Sequence, residues 1–293
     1  MGLFLSQLLV GLGNGVVYAS VAIALVLIFR TTGILNFAQG EMALFATYVT
    51  WKLTTFHLPV VLCIVISMAI SFVAGAIIER VLIRPVEDAS PLTVVIVTLG
   101  MFLAINSLAQ LVFGTDEKQL PSPFPADQWR VAGTTVTAQT VGLVGVLVAE
   151  CLLLYLLFQR TKLGLALRAV ADNSESAGLV GINSAMMLLL GWAMAAAIGA
   201  LAGAMVVPTQ PALVPSSMQS VLVLSFAAAA LGGFDSVLGA VVGGLVVGVA
   251  EAMTTQYVGF LSQIELVVPF AIILLVLLFR PNGLFGHTVV ERV

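Results

Sequence analysis

The feature that most constrains this chain is a series of apolar runs long enough to cross a lipid bilayer. A transmembrane helix needs roughly 20 predominantly apolar residues, and in lipid the backbone must satisfy its own hydrogen bonds. The sequence therefore predicts an all-α, polytopic transmembrane helical bundle with about eight to ten spans. The apolar runs lie near residues 7–29, 41–56, 59–79, 92–113, 137–158, 185–207, 219–233, 237–255 and 262–279.

Composition agrees with a membrane protein and excludes several other classes. Hydrophobic residues make up 60% of the 293 residues, charged residues make up 9%, and the mean hydropathy is +1.15. Soluble domains are about 45–50% apolar and about 25% charged. The net charge of −3 says little about partners because so few charges are present, but the lack of a basic patch predicts no nucleic-acid partner. The N-terminal run lacks a basic start and is too long for a cleaved signal peptide, so we expect it to be retained as the first span.

The distribution of Lys and Arg predicts the orientation, because cytoplasmic loops are enriched in both. We expect the loops richer in Lys and Arg to lie in the cytoplasm and the loops poorer in them to lie outside the cell. The C-terminus would then be cytoplasmic, and the side of the N-terminus is left open. One membrane domain, 1–293, is predicted, with a cytoplasmic loop at about 159–184 and an extracytoplasmic loop at about 114–136. The richer loops contain Arg80, Arg84, Arg160, Lys162, Arg168 and Arg280, and the poorer loops contain Lys52, Lys118 and Arg130.

The first apolar run is interrupted by polar residues in "FRTTGILNFAQGE". Glycines there favour a broken or re-entrant segment near 30–41, and a helix break at membrane depth is tolerated only where it is buried or lines a cavity. Asn36, Gln39, Gly40 and Glu41 are therefore candidate substrate-pathway residues. The alternative is an interfacial loop, with Arg30 at the headgroups. The sequence leaves both open.

A second pattern places small residues at helical spacing in "GAVVGGLVVG". Helices in lipid associate through close backbone approach, which glycine permits. The four glycines predict either tight internal helix packing or a subunit interface. They are Gly239, Gly243, Gly244 and Gly248.

The residues predict no catalytic site and no metal site. No lysine follows a glycine, so the phosphate-binding pattern G-x-x-x-x-G-K-[ST] is absent. The histidines and cysteines are few and scattered. Three acidic residues in apolar surroundings, Glu150, Glu251 and Glu265, keep one alternative open: an ion-coupled secondary carrier for a small organic solute, with Glu150 and Glu251 as proton sites.

A long polar and helix-competent segment near the centre of the chain is "TKLGLALRAVADNSESAGLVGIN". It predicts two short helices, with Asn173 or Ser174 capping the second and Gly181 ending it. Ala177, Leu179 and Val180 would give the second helix an apolar surface, which is typical of a docking element. An amphipathic helix lying on the membrane is the alternative.

Four motifs resemble those of the branched-chain amino acid permeases, a family of binding-protein-dependent ABC importers. Along the chain they follow the order that the family shows. "ESAGLVG" resembles E-A-A-x-x-x-G, with a serine in place of one alanine, and "GILNFAQGEM" resembles I-x-N-F-A-H-G-E, with Gln39 in place of histidine. "LGGFDSVLGAVVGG" resembles G-G-x-G-S-x-x-G-A-x-x-G-G, with Asp235 departing, and "FRPNGLFG" resembles R-P-x-G-L-F-G. The resemblance covers essentially the whole chain.

The resemblance implies a non-catalytic permease subunit in the inner membrane of a bacterial or archaeal cell. Two ATPase subunits, which bind ATP and Mg, would dock at the short helices, and this chain would hold no cofactor. A second similar permease, a paralogue in preference to another copy, would complete the pathway, and an extracytoplasmic binding protein would deliver branched-chain or related amino acids. The implied ATPase-coupling residues are Arg168, Glu175, Ser176, Ala177 and Gly181.

Overall fold

The computed structural model describes residues 2–87, 89–131, 134–257, 267–280 and 282–286. The described chain is a polytopic helical bundle, which confirms the predicted fold class. Its helices are α1 (Gly2–Thr32), α2 (Gln39–Thr54), α3 (Val60–Ile78), α4 (Pro91–Phe113), α5 (Ala138–Arg160), α6 (Lys162–Asp172), α7 (Ser174–Leu179), α8 (Ser184–Val206), α9 (Gln219–Gly232), α10 (Val237–Tyr257) and α11 (Val267–Phe279).

Turn chemistry explains several helix ends. Pro59 and Pro91 stand at the starts of α3 and α4, where a missing N–H costs nothing, and the Ser90 side chain caps α4 by accepting from the Thr93 N–H at 3.3 Å. Gly114, at φ +80°, ends α4. After α3 the helix continues as a π-helical turn, Glu79–Ile83, and a short 3-10 turn, Arg84–Val86.

A β-hairpin adds to the predicted all-helical fold. Strands β1 (Gln128–Val131) and β2 (Thr134–Thr137) pair antiparallel within the predicted extracytoplasmic loop. Threonine, valine and tryptophan favour extended backbone, and each of these types occurs here. The helical periodicity of the neighbouring runs gave no indication of this short element.

Six helical segments among the described residues are long and apolar enough to span a membrane, so the chain is a multi-pass membrane protein. The other predicted runs form shorter helices, α2, α9 and α11, of 16, 14 and 13 residues. The start of the last predicted run, with Glu265, lies outside the described residues. The six segments are Leu3–Thr32, Val60–Val86, Pro91–Phe113, Ala138–Arg160, Ser184–Thr209 and Val237–Tyr257.

The chain divides into two compact units. The first comprises Met1–Val26, Phe124–Leu147 and Val221–Val293, and the second comprises Leu27–Pro123 and Val148–Ser220. In the second unit, α2 packs against α3, α4 and α8, and α3 packs along α8. In the first unit, glycine-rich faces of α1, α9 and α10 come together.

Candidate functional site

The break between α1 and α2 lies at residues 33–38, within the predicted segment near 30–41. Gly33 adopts φ +69°, a conformation that favours glycine, and it ends α1. The Asn36 side chain then accepts a hydrogen bond from the Ala38 N–H at 3.0 Å, which shapes the turn into α2. Gly40 was expected to help break the backbone, but it lies in the first turn of α2, where the helix has already begun.

Asn36 and Gln39 bond to each other and to the neighbouring helix. Both are fully buried, at 0% exposure. The Asn36 amide donates to Gln39 Oε1 at 3.3 Å, and the Gln39 amide donates to the Ala195 carbonyl of α8 at 3.0 Å. Gly199 makes room for this contact, since a Cβ there would lie 2.6 Å from Gln39 Nε2. These two predicted pathway residues therefore connect α2 to α8, and hydrogen bonds account for both side chains.

Glu41 is different, because half of its carboxylate has no partner. It is also 0% exposed, and its Oε2 accepts a hydrogen bond from Asn106 Nδ2 of α4 at 2.8 Å. Its Oε1 has no hydrogen-bond partner. Two turns along the same helix, the fully buried Tyr48 hydroxyl also lacks a partner, while its ring stacks on Phe113 with centroids 5.1 Å apart. The α2–α4 contact thus contains two buried polar groups that the described chain leaves unsatisfied.

Asn106 was not singled out from the sequence. It lies in the apolar run near 92–113, and a polar residue at membrane depth is the same signal that identified Asn36. Its Nδ2 also donates to the Pro215 carbonyl at 2.9 Å. The loop that carries Pro215 is fixed by backbone pairing of Leu213 with Lys118, at 2.8 and 3.1 Å. Glu41, Asn106 and the Pro215 carbonyl therefore form one polar cluster.

The segment between α5 and α8 forms the two predicted short helices, α6 and α7. The Thr161 side chain caps α6 by accepting from the Gly164 N–H at 3.0 Å, and Asn173 caps α7 by accepting from the Ser176 N–H at 2.7 Å. Gly181, at φ +88°, follows the end of α7, where the Ile182 N–H donates to the Ala177 carbonyl at 3.0 Å. The capping residue of α7 is one of the two that the sequence predicted, and Gly181 ends the helix as predicted.

The predicted coupling residues differ in exposure. Ala177 is buried against the fold, whereas Glu175, Ser176 and Gly181 are exposed. Arg168 is half-buried and donates to Gln159 Oε1 at 3.2 Å, with its Nε buried and without a partner.

Two apolar side chains stand out on this segment. Leu179 is 86% exposed and Val180 is 77% exposed, at the end of α7. An apolar surface of this kind on a polar connecting segment is suited to contact with a partner.

The four glycines of α10 lie against helices of the same unit. A Cβ on Gly244 would lie 2.6 Å from the Ala19 backbone nitrogen of α1. Gly248 faces Gly11 and Gly15, which also belong to α1. Gly239 and Gly243 face the Gly232 and Ala228 backbone of α9. These faces of α10 are therefore occupied by internal helix contacts.

The acidic residues considered for ion coupling are placed as follows. Glu150 is 5% exposed in α5, and Glu251 of α10 accepts a hydrogen bond from the Tyr18 hydroxyl at 2.6 Å. Glu265 lies outside the described residues. Within the described ranges, no group of three or more His, Cys, Asp or Glu side chains is placed to hold a metal ion.

Comparison with known proteins assigns the family. The family model described as "Branched-chain amino acid transport system / permease component" matches residues 7–277. The chain is 32% identical to the high-affinity branched-chain amino acid transport system permease protein LivH of Escherichia coli K12, over 99% of this chain and 98% of LivH. It is 30% identical to the corresponding protein BraD of Pseudomonas aeruginosa, with the same coverage. The probable branched-chain amino acid transport permease protein LivH of Methanocaldococcus jannaschii is 29% identical, over 90% of this chain and 87% of the relative. No solved structure matches the chain significantly. A helical membrane chain that matches this model over nearly its whole length belongs to the family of branched-chain amino acid transport permease components.

Proposed function

We propose that this chain is the membrane-spanning permease subunit of an ATP-driven importer of branched-chain or related amino acids. The family assignment and the names of the relatives support this substrate class. The cell membrane would be the inner membrane of a bacterium or archaeon. Each importer would pair this chain with a second permease, a paralogue in preference to another copy, and an extracytoplasmic binding protein would deliver the amino acid.

The observation that carries the ATP-driven mechanism is the exposed end of α7. The sequence has no phosphate-binding pattern of its own, so energy from ATP would have to come from a partner. Leu179 and Val180 offer an apolar surface, and Ala177 anchors the same helix to the fold. We assign α6 and α7, with Arg168, Glu175, Ser176, Ala177 and Gly181, as the segment that docks two ATPase subunits, which would bind ATP and Mg.

The proposed docking has a simple mechanical consequence. α6 follows α5 after one residue, and α7 precedes α8 by a short turn, so a force on α7 reaches both spanning helices directly. The Thr161 and Asn173 caps hold the ends of the two short helices. Movement of docked ATPases on ATP would then shift α5 and α8 as rigid elements and alternate the access of the pathway.

The test replaces Leu179 with glutamate. A charge in the docked apolar surface would lose the burial of a leucine, worth about 2 kcal/mol or more, and would add desolvation of the carboxylate. We expect Leu179→Glu to reduce co-purification of the ATPase subunits and ATP-driven uptake of radiolabelled leucine by about tenfold or more. Phe56→Glu is the matched control, because Phe56 is 64% exposed in the turn between α2 and α3.

Two results would contradict the proposal. Normal ATPase co-purification with Leu179→Glu would show that α7 is not the docking surface. Leucine uptake that collapses with an uncoupler while ATP is present would instead indicate an ion-coupled carrier.

A further inference from the structure

The Glu41 carboxylate is buried without a positive partner. Glu41 is fully buried, its Oε2 accepts one hydrogen bond from a neutral amide, and its Oε1 accepts none. No Lys, Arg or His in the described part of the chain forms an ion pair with it. An ionised carboxylate in such surroundings is costly unless it is paired, so a cationic group that entered this cluster would stabilise the ionised side chain.

The neighbouring acceptors indicate what kind of group fits. Asn106 Nδ2 donates to Glu41 Oε2 at 2.8 Å and to the Pro215 carbonyl at 2.9 Å, so two oxygens converge on one nitrogen donor. Each of these oxygens retains a lone pair, and Oε1 has both of its own. An ammonium group carries one positive charge and three N–H donors, and it matches an acceptor-rich cluster of this composition.

The cluster has a polar connection to the surface. Gln110, one turn along α4, is exposed and donates to Asn106 Oδ1 at 2.6 Å. Gln219, at the start of α9, is also exposed and interacts with the Glu41 carboxylate. Gln110 lies in the last turn of α4 and Gln219 is the first residue of α9, so this flank of the cluster lies at helix ends and is suited to an aqueous path.

We propose that Glu41, oriented by Asn106, binds the α-ammonium group of the amino acid during its passage through the permease. This inference rests on the proposed transport function and deepens it by assigning one residue to one part of the substrate. Asn36 and Gln39 are excluded from this role because their amides are bonded to each other and to α8. Asn106 is a positioning residue, and the Pro215 carbonyl is a further acceptor.

The experiment uses the full importer: this chain with its ATPases, partner permease and binding protein, in proteoliposomes. The readout is the number of radiolabelled leucine molecules imported per ATP hydrolysed. Glu41→Gln keeps the shape and the hydrogen bond from Asn106 but removes the charge. A hydrogen bond to a charged group is stronger than one between neutral groups by roughly tenfold in equilibrium terms. We therefore expect the number of leucine molecules imported per ATP to fall about tenfold.

Two further variants separate the proposal from a structural role. Glu41→Asp retains the charge, so its ratio should lie between those of wild type and Glu41→Gln. Glu79→Gln is the matched control, since Glu79 is 1% exposed in the same unit and its carboxylate also has no hydrogen-bond partner. The Glu79→Gln ratio should equal that of wild type.

The outcomes are distinguishable. An unchanged ratio in Glu41→Gln, including a parallel loss of uptake and ATP hydrolysis, overturns the inference alone. A ratio in Glu41→Asp that falls below that of Glu41→Gln overturns it as well, because charge would then not be what matters. A wild-type importer that moves no leucine on ATP overturns the proposed function and this inference with it.

Discussion

Gly244 determines how closely α1 and α10 approach each other. A Cβ at this position would lie 2.6 Å from the Ala19 nitrogen, which is backbone and cannot move aside alone. We expect Gly244→Val to push the helices apart and to lower stability by about 1–3 kcal/mol, as overpacking does. The measurement is the thermal unfolding midpoint of the detergent-solubilised chain, followed by size-exclusion chromatography after heating.

Gly145→Val provides the control for this prediction. Gly145 lies in α5, and a Cβ there would meet nothing within 4 Å. The two variants add the same side chain to spanning helices, so a difference between their midpoints reports the contact with Ala19. Equal midpoints would mean that the α1–α10 approach contributes little to stability.

Side chains at single positions also show what local sequence can and cannot predict. The polar cluster at 36–41 was found because polar residues are rare at membrane depth. The difference between Gln39 and Glu41 was not predictable, since it depends on Ala195 and Asn106, which lie 156 and 65 residues further along the chain. The same limit applies to Gly244, whose spacing indicates a close contact without naming the partner helix.

Among the helices, α6 and α7 were the most predictable because their ends are set by local chemistry. The Asn173 side chain caps the start of α7 and Gly181 follows its end, so both residues lie within a few positions of the helix that they delimit. The β-hairpin at 128–137 was missed because four-residue strands leave too short a pattern beside long apolar runs. Helix boundaries were less predictable, since α2 both begins and ends two residues before the predicted run does, at the same length of 16 residues.

The C-terminal end of α7 gives a prediction for this element. Gly181 is at φ +88°, where a Cβ costs about 1–2 kcal/mol, and no atom within 4 Å would obstruct a side chain. We expect Gly181→Ala to distort the end of α7 and to reduce ATP-driven leucine uptake about two- to fivefold, with normal membrane insertion. Membrane insertion is measured by the amount of chain in the membrane fraction.

Gly178→Ala is the matched variant inside the same helix. Gly178 has no positive φ and also has open space around it, so alanine there improves helix propensity by about 1 kcal/mol. Uptake should remain at or near the wild-type level. If both variants reduce uptake equally, side-chain bulk on the α7 surface is responsible, and the strain argument is wrong.

The arrangement of the whole chain across the membrane can be tested at the two ends of α5. This helix has 23 residues and is about 34 Å long, enough for one crossing of a hydrocarbon core of about 30 Å. The β-hairpin precedes it and α6 follows it, so a single crossing by α5 predicts that these two elements face opposite sides of the membrane. Arg160 and Lys162 at the α6 end predict, by the enrichment of Lys and Arg in cytoplasmic loops, that this end lies in the cytoplasm. We expect a membrane-impermeant maleimide to label Asp127→Cys in intact cells, and Gly178→Cys only after permeabilisation.

The parental chain is the control, because Cys63 is buried and Cys151 is half-buried, both within spanning helices. Labelling of both variants in intact cells would contradict a single crossing by α5. Labelling of Gly178→Cys alone would reverse the orientation and place α7 on the side where no ATPase could reach it, which would contradict the docking proposal as well.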